Sequence, residues 1–289
     1  MTSSTYTPPT TRQTFAGSGS APKLSFGGVL KSERIKLSSL RSIRTTLLIT
    51  LLASAGLSLL SAWAMKSSFS YEGLDVSALP VDALQSYLLT VSTFASPFLA
   101  LIFGVLGVFV ISSEYSSGMI LSSLAAVPRR TPMYFGKAIV LAAIAAVTAL
   151  VLVLVGLAIG IAFLPAAAGE VFSGTVLTGA LGAIVYLACV ALLGFGFAAV
   201  LRSTAGGIAL VAGLIFVLPI GFQFLSMTGW EWVPTVSQYL PMSLGSTLSM
   251  GDVATGSDPT YWVAMLAIAL WAAVPSALGL AVLKSRDAK

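Results

Sequence analysis

Six stretches of about twenty or more mostly apolar residues run through the chain, and no Asp, Glu, Lys or Arg lies deep within any of them. They cover approximately residues 43–65, 89–113, 138–164, 172–201, 208–228 and 261–283. A helix of this length crosses the ~30 Å hydrocarbon core of a bilayer. A transmembrane β-barrel would instead alternate apolar and polar residues in segments of about ten. The sequence therefore predicts an all-α polytopic membrane protein with six transmembrane helices.

The composition agrees with a membrane protein and argues against a soluble enzyme. Charged residues make up 9% of the 289 residues, apolar residues make up 57%, and the mean hydropathy is +0.97. Ordinary soluble domains carry roughly 25% charged residues. The chain has no histidine and one cysteine, Cys189, which excludes internal disulfides, Cys/His zinc sites and histidine general bases.

The basic residues indicate how the spans are oriented. If both termini lie on one side, that side receives every one of the 15 Lys and Arg residues except Lys66. By the positive-inside rule this side is cytoplasmic, so we predict cytoplasmic termini and a multi-pass protein of the cell membrane. The charge thus reflects topology, with anionic membrane lipid as a secondary partner, and it gives no support to nucleic-acid binding.

The pattern divides the chain into segments. Residues 1–24, rich in Ser, Thr, Pro and Gly, are predicted to be a disordered cytoplasmic tail. Residues 25–42 are predicted to form an amphipathic helix, and residues 43–289 the six-helix transmembrane domain. Within that domain, residues 66–87 and 229–260 are expected to be the larger external segments.

The predicted amphipathic helix begins in "SFGGVLKSERIKLSSLRSIR". The apolar residues that share one of its faces are Phe26, Val29, Leu30, Leu37 and Leu40. Lys31, Arg34 and Lys36 lie on the flanks of this face, whereas Glu33 falls within it and interrupts it. We predict that this helix lies in the cytoplasmic interface of the membrane.

A second cytoplasmic segment, "ISSEYSSGMILSSLAAVPRR" at residues 111–130, is unusual in so apolar a chain. Glu114 closes the second apolar run, and Arg129 and Arg130 follow Pro128, which would end a helix. One interpretation is a short helix that packs into a groove on a cytoplasmic partner. The other is a turn at the membrane surface with two arginines that serve topology. The residues alone leave both interpretations open.

The sequence lacks the residues by which transporters usually obtain energy. Ion-coupled carriers generally hold an ionisable group at membrane depth, and none is predicted here. A Walker loop requires G-x-x-x-x-G-K-[ST], and "FGKA" at residues 135–138 lacks the first glycine and the hydroxyl. We therefore expect no cofactor in this chain, with ATP and Mg²⁺ bound by a separate ATPase.

The spans also contain signals for packing and bending. The fourth run is too long for a straight crossing, so it is expected either to tilt or to break near one of its glycines. Gly156 and Gly160 form a G-x-x-x-G pair, which permits close helix packing. Pro97, Pro219 and Pro275 are candidate positions for kinks.

Three stretches together resemble a known family. "LKSERIKLSSLRSIRTTLLIT", "EYSSGMILSSLAAVPRRTPMYFGKAIV" and "QYLPMSLGSTL" look like the permease subunits of type 2 ABC exporters, particularly small actinobacterial ones. The resemblance begins near residue 26 and rests on order, spacing and topology. It implies six spans, an N-terminal connecting helix, a coupling helix after the second span, and two permease subunits joined to two cytoplasmic ATPases.

The resemblance also implies roles for particular residues. The family's acid, its glycine four residues later and its basic residue after the proline map onto Glu114, Gly118 and either Arg129 or Arg130. With Tyr115, these become the predicted ATPase-coupling residues. Lys31, Glu33, Arg34 and Lys36 become predicted connecting-helix residues. This helix departs from the family in having Ile35 after Glu33-Arg34, where an aromatic residue often follows the acid.

The segment at 229–260 contains Trp230, Trp232 and Tyr239. These rings are typical of an aromatic belt at the level of the lipid headgroups. The family resemblance adds a second interpretation, a short re-entrant or interfacial helix that caps the exit of the transport path.

Taken together, the sequence predicts the membrane subunit of an ATP-driven exporter that moves an apolar or amphipathic substrate and catalyses no bond chemistry itself. A second permease subunit, identical or not, is expected beside it. The alternative is an ATP-independent channel, a secondary carrier or an integral membrane scaffold.

Overall fold

The structure is a computed structural model that describes residues 25–39, 41–71, 73, 79–116, 118, 130–253 and 259–285. The described residues are helical with no strand, and six helical segments are long and apolar enough to cross a membrane. These segments are Arg41–Tyr71, Val81–Tyr115, Arg130–Phe163, Gly174–Leu201, Thr204–Ser226 and Tyr261–Ser285. The predicted all-α membrane fold with six spans is therefore confirmed. The predicted tail at 1–24 lies outside the described residues.

The helices are named in chain order. They are α1 (Phe26–Ser39), α2 (Arg41–Tyr71), α3 (Val81–Thr93), α4 (Ser96–Ser116), α5 (Arg130–Phe163), α6 (Gly174–Leu201), α7 (Thr204–Ala212), α8 (Leu218–Ser226), α9 (Trp232–Gln238), α10 (Pro241–Ser249) and α11 (Tyr261–Ser285). Short 3₁₀ turns at Pro165–Glu170 and Gly251–Val253 follow α5 and α10, and a π-helical turn at Gly213–Val217 joins α7 to α8.

The predicted external loop at 66–87 is shorter than expected. The helix α2 continues to Tyr71 and α3 already begins at Val81, so residues 66–71 and 81–87 are helical. Each helix continues beyond its apolar core because helix propensity and packing also stabilise the polar turns at its end. Hydropathy locates only the apolar part of the helix.

Two spans are interrupted next to a predicted kink position. The second span breaks between α3 and α4 at Phe94 and Ala95, just before Pro97. The fifth span widens into its π-helical turn immediately before Pro219. Proline has no N–H to donate to the preceding turn, and neighbouring turns adjust to this loss. Pro275, in contrast, lies inside the continuous helix α11.

The central element is α6, which packs against α4, α5, α10 and α11. It runs unbroken from Gly174 to Leu201, so the predicted alternative of a break at one of its glycines is wrong. Instead, its glycines allow neighbouring helices to approach its backbone closely. A Cβ atom at Gly194 would lie 2.1 Å from the carbonyl oxygen of Gly104 in α4, so only glycine allows these two backbones to touch.

The first, fifth and sixth spans are the least enclosed, and the first and sixth are buried to the same extent. Only 28% of the apolar window in the first span and 11% of that in the fifth are buried within the chain. Large side chains of the fifth span, such as Val217 and Phe224, are each 66% exposed. Apolar surface of this extent faces lipid or another membrane chain.

Polar contacts define two ends of the helical assembly. At one end, named the charged end, α1 contacts the last turn of α4 and the first turns of α5. Arg130 at the start of α5 and Arg202 after α6 both donate to the last turn of α11 at this end. At the opposite end, Gln85 donates a 2.8 Å hydrogen bond to Glu170, and the hydroxyl of Tyr261 donates one of 2.8 Å to the carbonyl of Thr178. These contacts tie α3 to the turn after α5, and α11 to α6.

Candidate functional site at the charged end

Four ionised side chains from three helices meet at the charged end. Lys137 of α5 donates hydrogen bonds of 2.7 Å from Nζ to Oε2 of Glu33 in α1 and to Oε1 of Glu114 in α4. Lys36 of α1 donates to the same oxygen of Glu114. Lys137 and Glu114 are each 1% exposed and Glu33 is 6% exposed. We call these four residues the ion cluster.

The placement of Glu33 follows from the periodicity of α1. The helix buries Val29, Glu33 and Leu37, which are spaced by one helical turn and so share one face. The prediction that Glu33 falls within the apolar face is therefore confirmed. The carboxylate belongs to the buried face because a buried lysine on α5 is its partner.

The ion cluster contains two positive and two negative side chains, so it carries no net charge. Burying an isolated charge costs several kcal/mol, and pairing offsets this only when the geometry is good. The direct role of such a cluster is to fix geometry, because its ion pairs persist only while α1, α4 and α5 keep their positions. Burial, followed by repulsion from the Lys137 ammonium, lowers the pKa of Lys36 below its ordinary value of 10.5.

The last turn of α4 is held by a second basic residue. The guanidinium of Arg202 lies over the ring of Tyr115, with Cζ 5.4 Å from the ring centroid, which is the geometry of a cation–π contact. Arg202 follows α6 in the left-handed region, at φ +52°, and its N–H donates to the carbonyl of Ala198 at 2.8 Å. Among the described residues it is the only non-glycine with positive φ.

Gly118 also lies in the left-handed region, at φ +68°. Its N–H faces the carbonyl of Tyr115 at 3.4 Å. A residue with a Cβ is strained in this conformation, which is the ordinary end of a helix at glycine. The predicted coupling glycine therefore shapes how the chain leaves α4.

Arg130 opens α5 and reaches the end of α11. Its Nη1 donates to the carbonyls of Leu283 at 2.8 Å and of Lys284 at 3.3 Å. A cation is favourable there because the last carbonyls of a helix lack internal partners and carry partial negative charge. Arg129, the other predicted arginine, lies outside the described residues, as do 119–128.

The structure thus brings together residues predicted separately. Glu33 and Lys36 of the predicted connecting helix join Glu114 of the predicted coupling set, whereas Lys31 and Arg34 are exposed on α1 and outside the ion cluster. Because Glu114 is buried, its side chain acts on this chain's own helices. Within the described part of the chain, no group of three or more His, Cys, Asp or Glu could hold a metal ion.

Sequence reasoning missed Lys137 and Arg202. In the sequence both appear among the basic residues that set topology, and Lys137 also lies in the rejected Walker candidate "FGKA". Lys137 directly precedes the predicted third span, but α5 begins seven residues earlier at Arg130, so this lysine lies two turns inside the helix. A signal existed in Glu33 and Glu114, since acids at apolar positions require buried cations.

The predicted aromatic residues lie around α9. The rings of Trp230 and Trp232 are stacked at 5.8 Å between centroids, and Trp232 also meets Phe222 edge-on at 6.2 Å. Both tryptophans are about half exposed, as amphipathic rings at a headgroup layer are. The carbonyl of Tyr239 accepts a 2.9 Å hydrogen bond from the indole of Trp271 in α11. Their role as an external cap stays a prediction.

An open groove of about 510 Å³ lies beside the break between α3 and α4. Its hydroxyl-bearing residues come from α3, α6 and α10 and are Ser86, Thr90, Thr93, Thr175, Ser246 and Ser249. Its apolar residues include Phe94, Phe98 and Met242, and no charged residue lines it. We call this the hydroxyl groove. Its size and mixed lining suit a neutral amphipathic molecule.

Comparison with known proteins adds one finding. Residues 26–288 match the family described as "ABC-2 family transporter protein". No curated protein matches the chain. The family match covers all the described helices, including α1.

Proposed function

The chain belongs to the ABC-2 family of transporter proteins, as a multi-pass membrane component, and we propose that it is the permease of an ATP-driven exporter. It works with separate cytoplasmic ATPase subunits, which bind ATP and Mg²⁺, and with a second permease subunit. The charged end faces the cytoplasm of a bacterial cell. The chain itself moves substrate and makes or breaks no covalent bond.

The ion cluster is the observation that carries this proposal. It connects α1 to α4 and α5, which are the two helices that flank residues 117–129. A partner that pushes on this segment therefore moves α1, α4 and α5 together, because separating them would leave buried charges unpaired. Binding of ATP by the partner then tilts the spans and changes access to the substrate path.

The buried residues and the exposed residues have different roles in this mechanism. Glu114 and Lys137 position the helices, and Tyr115 and Gly118 set the direction in which the chain leaves α4. Arg129, with the rest of 119–129, supplies contacts to the ATPase. Arg130 joins that segment to α11 through its hydrogen bond to Leu283.

Reconstitution with a candidate ATPase, chosen as a Walker-containing protein whose gene adjoins that of this chain, tests the proposal. Lipid nanodiscs containing both proteins should hydrolyse ATP at a rate that depends on the permease. Replacing Glu114, Arg129 and Arg130 together by alanine should abolish this dependence, whereas Lys31→Ala, an exposed change on α1, should preserve it.

Two outcomes would contradict the proposal. One is unchanged coupling of hydrolysis in the triple variant, verified to be folded by its melting temperature. The other is uphill transport by the purified permease alone in liposomes, which would show that the chain needs no ATPase.

The hydroxyl groove supports the proposed substrate class. Its hydroxyls, aromatic rings and methionines fit an apolar or amphipathic substrate, and no charge in its lining would hold an ion. Ser246→Trp should fill the groove and abolish transport while ATP hydrolysis continues. Thr235→Trp, an exposed change on the neighbouring helix α9, is the matched control. Equal transport by both variants would place the substrate path elsewhere.

A further inference from the structure

A second groove lies between α1, the beginning of α2 and α5. It encloses about 640 Å³ between the three helices. Leu37, Ile43 and Val140 form its buried floor, and the side chains of Ile139 and Val147, which are 46% and 61% exposed, form its open wall. We call it the elbow groove. Its wall continues into the surface of α5 that faces lipid.

Two arginines line the elbow groove. Arg34 comes from α1 and Arg44 from the first turn of α2. Arg44 is held in place because its Nε donates a 2.6 Å hydrogen bond to the carbonyl of Ser38. The groove therefore combines an apolar channel with a pair of cations.

The described acids of the charged end do not neutralise these arginines. Glu33 and Glu114 are buried and paired with Lys36 and Lys137. The residues that line the elbow groove include no acid, and neither arginine forms an ion pair with an acid in the described ranges. Its charge is thus complementary to an anion that also has an apolar part.

We propose that the elbow groove binds one anionic phospholipid, with the phosphate between Arg34 and Arg44 and an acyl chain against Ile139 and Val147. Guanidinium groups bind phosphate oxygens in bidentate fashion, which suits a headgroup at the membrane surface. The lipid would thereby contact both α1 and α2. The proposal requires only that the chain lies in a membrane and does not depend on an ATPase.

Native mass spectrometry of the purified full chain tests it, with phosphatidylglycerol and phosphatidylcholine of equal chain length as probes. The wild type should retain phosphatidylglycerol in preference to phosphatidylcholine. Arg34→Gln with Arg44→Gln should weaken that binding by about 30-fold, since each basic residue near a membrane surface contributes about fivefold. The matched control is Lys31→Gln with Arg41→Gln, which removes two exposed charges from the same helices without touching the groove.

Three further measurements distinguish a bound lipid from other occupants. Ala143→Phe narrows the apolar wall and should weaken phosphatidylglycerol binding although both arginines remain. Glycerol phosphate, which has no acyl chain, should not bind detectably. Cys189→Ser with Val147→Cys should give no disulfide-linked dimer under oxidation, because lipid and not a second copy covers this wall.

Each contrary result would overturn the proposal. Equal loss of binding in the control pair would show general attraction to a basic surface. Tight binding of glycerol phosphate would assign the arginines to a soluble anion, and a disulfide-linked dimer would assign the groove to a second permease. Unchanged phosphatidylglycerol binding in the arginine variant, with a melting temperature equal to that of the control, would exclude the site.

Discussion

Glu33 and Lys137 are 104 positions apart in the sequence, yet Oε2 of the first accepts a 2.7 Å hydrogen bond from Nζ of the second inside the protein. This pair fixes α1 against α5 at the charged end. Because Lys137 also binds Glu114, one ammonium group determines the relative position of three helices.

Replacing Lys137 by methionine should therefore destabilise the fold strongly. It would leave the carboxylates of Glu33 and Glu114 buried without this cation, and breaking a buried ion pair in this way costs about 3–5 kcal/mol. Thermal unfolding in detergent would show a lower melting temperature, while the exposed Lys31→Ala should change little. Adding Glu33→Gln and Glu114→Gln to Lys137→Met should recover much of the loss. A triple variant no more stable than the single one would contradict the assignment.

Stability should also depend on alkaline pH through Lys36. Its pKa in the folded protein is lowered, chiefly by burial, so between that value and 10.5 the unfolded chain binds more protons than the folded one. The free energy of unfolding should then gain a positive contribution as pH rises through this window. Chemical unfolding at a series of pH values should show that Lys36→Met removes this contribution. Identical pH dependence in both proteins would refute it.

Removing Arg130 should loosen the end of α11. The Arg130→Ala variant loses two charge-assisted hydrogen bonds to Leu283 and Lys284, which corresponds to about 1–2 kcal/mol of local stability at this partly exposed site. Amide hydrogen exchange in the last turn of α11 should become roughly tenfold faster. Arg130→Lys keeps the charge but not the forked donor, so its exchange rate should lie between those of the wild type and Arg130→Ala. Wild-type exchange rates in Arg130→Ala would show that the hydrogen bonds from Arg130 do not stabilise the end of α11.

Close packing of α3 on α5 gives a further prediction. A Cβ atom at Gly156 would lie 2.6 Å from Cα of Ser92, so Gly156→Ala must push the two helices apart. We expect a loss of about 1–3 kcal/mol in the free energy of unfolding. Gly56→Ala in α2, where no atom lies within 4 Å, is the matched control and should be neutral or stabilising. A neutral Gly156→Ala would mean that the helices are not in contact there.

The spans could be predicted from sequence because each is a local signal of length and hydropathy. The ion cluster could not, because its members come from α1, α4 and α5 and only folding brings them together. In the sequence Glu33 is an acid that interrupts an apolar stripe, and only the folded chain pairs it with Lys137. The G-x-x-x-G pair at Gly156 predicted close packing correctly, but its partner, Ser92, lies far away in the sequence.

The fifth span shows a different limit of sequence reasoning. Pro219 predicted a kink, yet it gave no sign that the adjustment would be a π-helical turn at Gly213–Val217. The choice among a kink, a wider turn and a break depends on neighbouring packing, which sequence periodicity does not record.

Arg130 and Arg202 both donate hydrogen bonds to the final turn of α11, Arg130 to the carbonyl of Leu283 and Arg202 to the carbonyl of Val282. The start of α5 and the end of α6 are thereby both attached to the last turn of α11. If α5 and α6 separate during a transport cycle, one of the two arginines must lose its hydrogen bond to α11. Otherwise the last turn of α11 must move together with one of these helices. A fluorescent reporter on the last turn of α11 would show which happens.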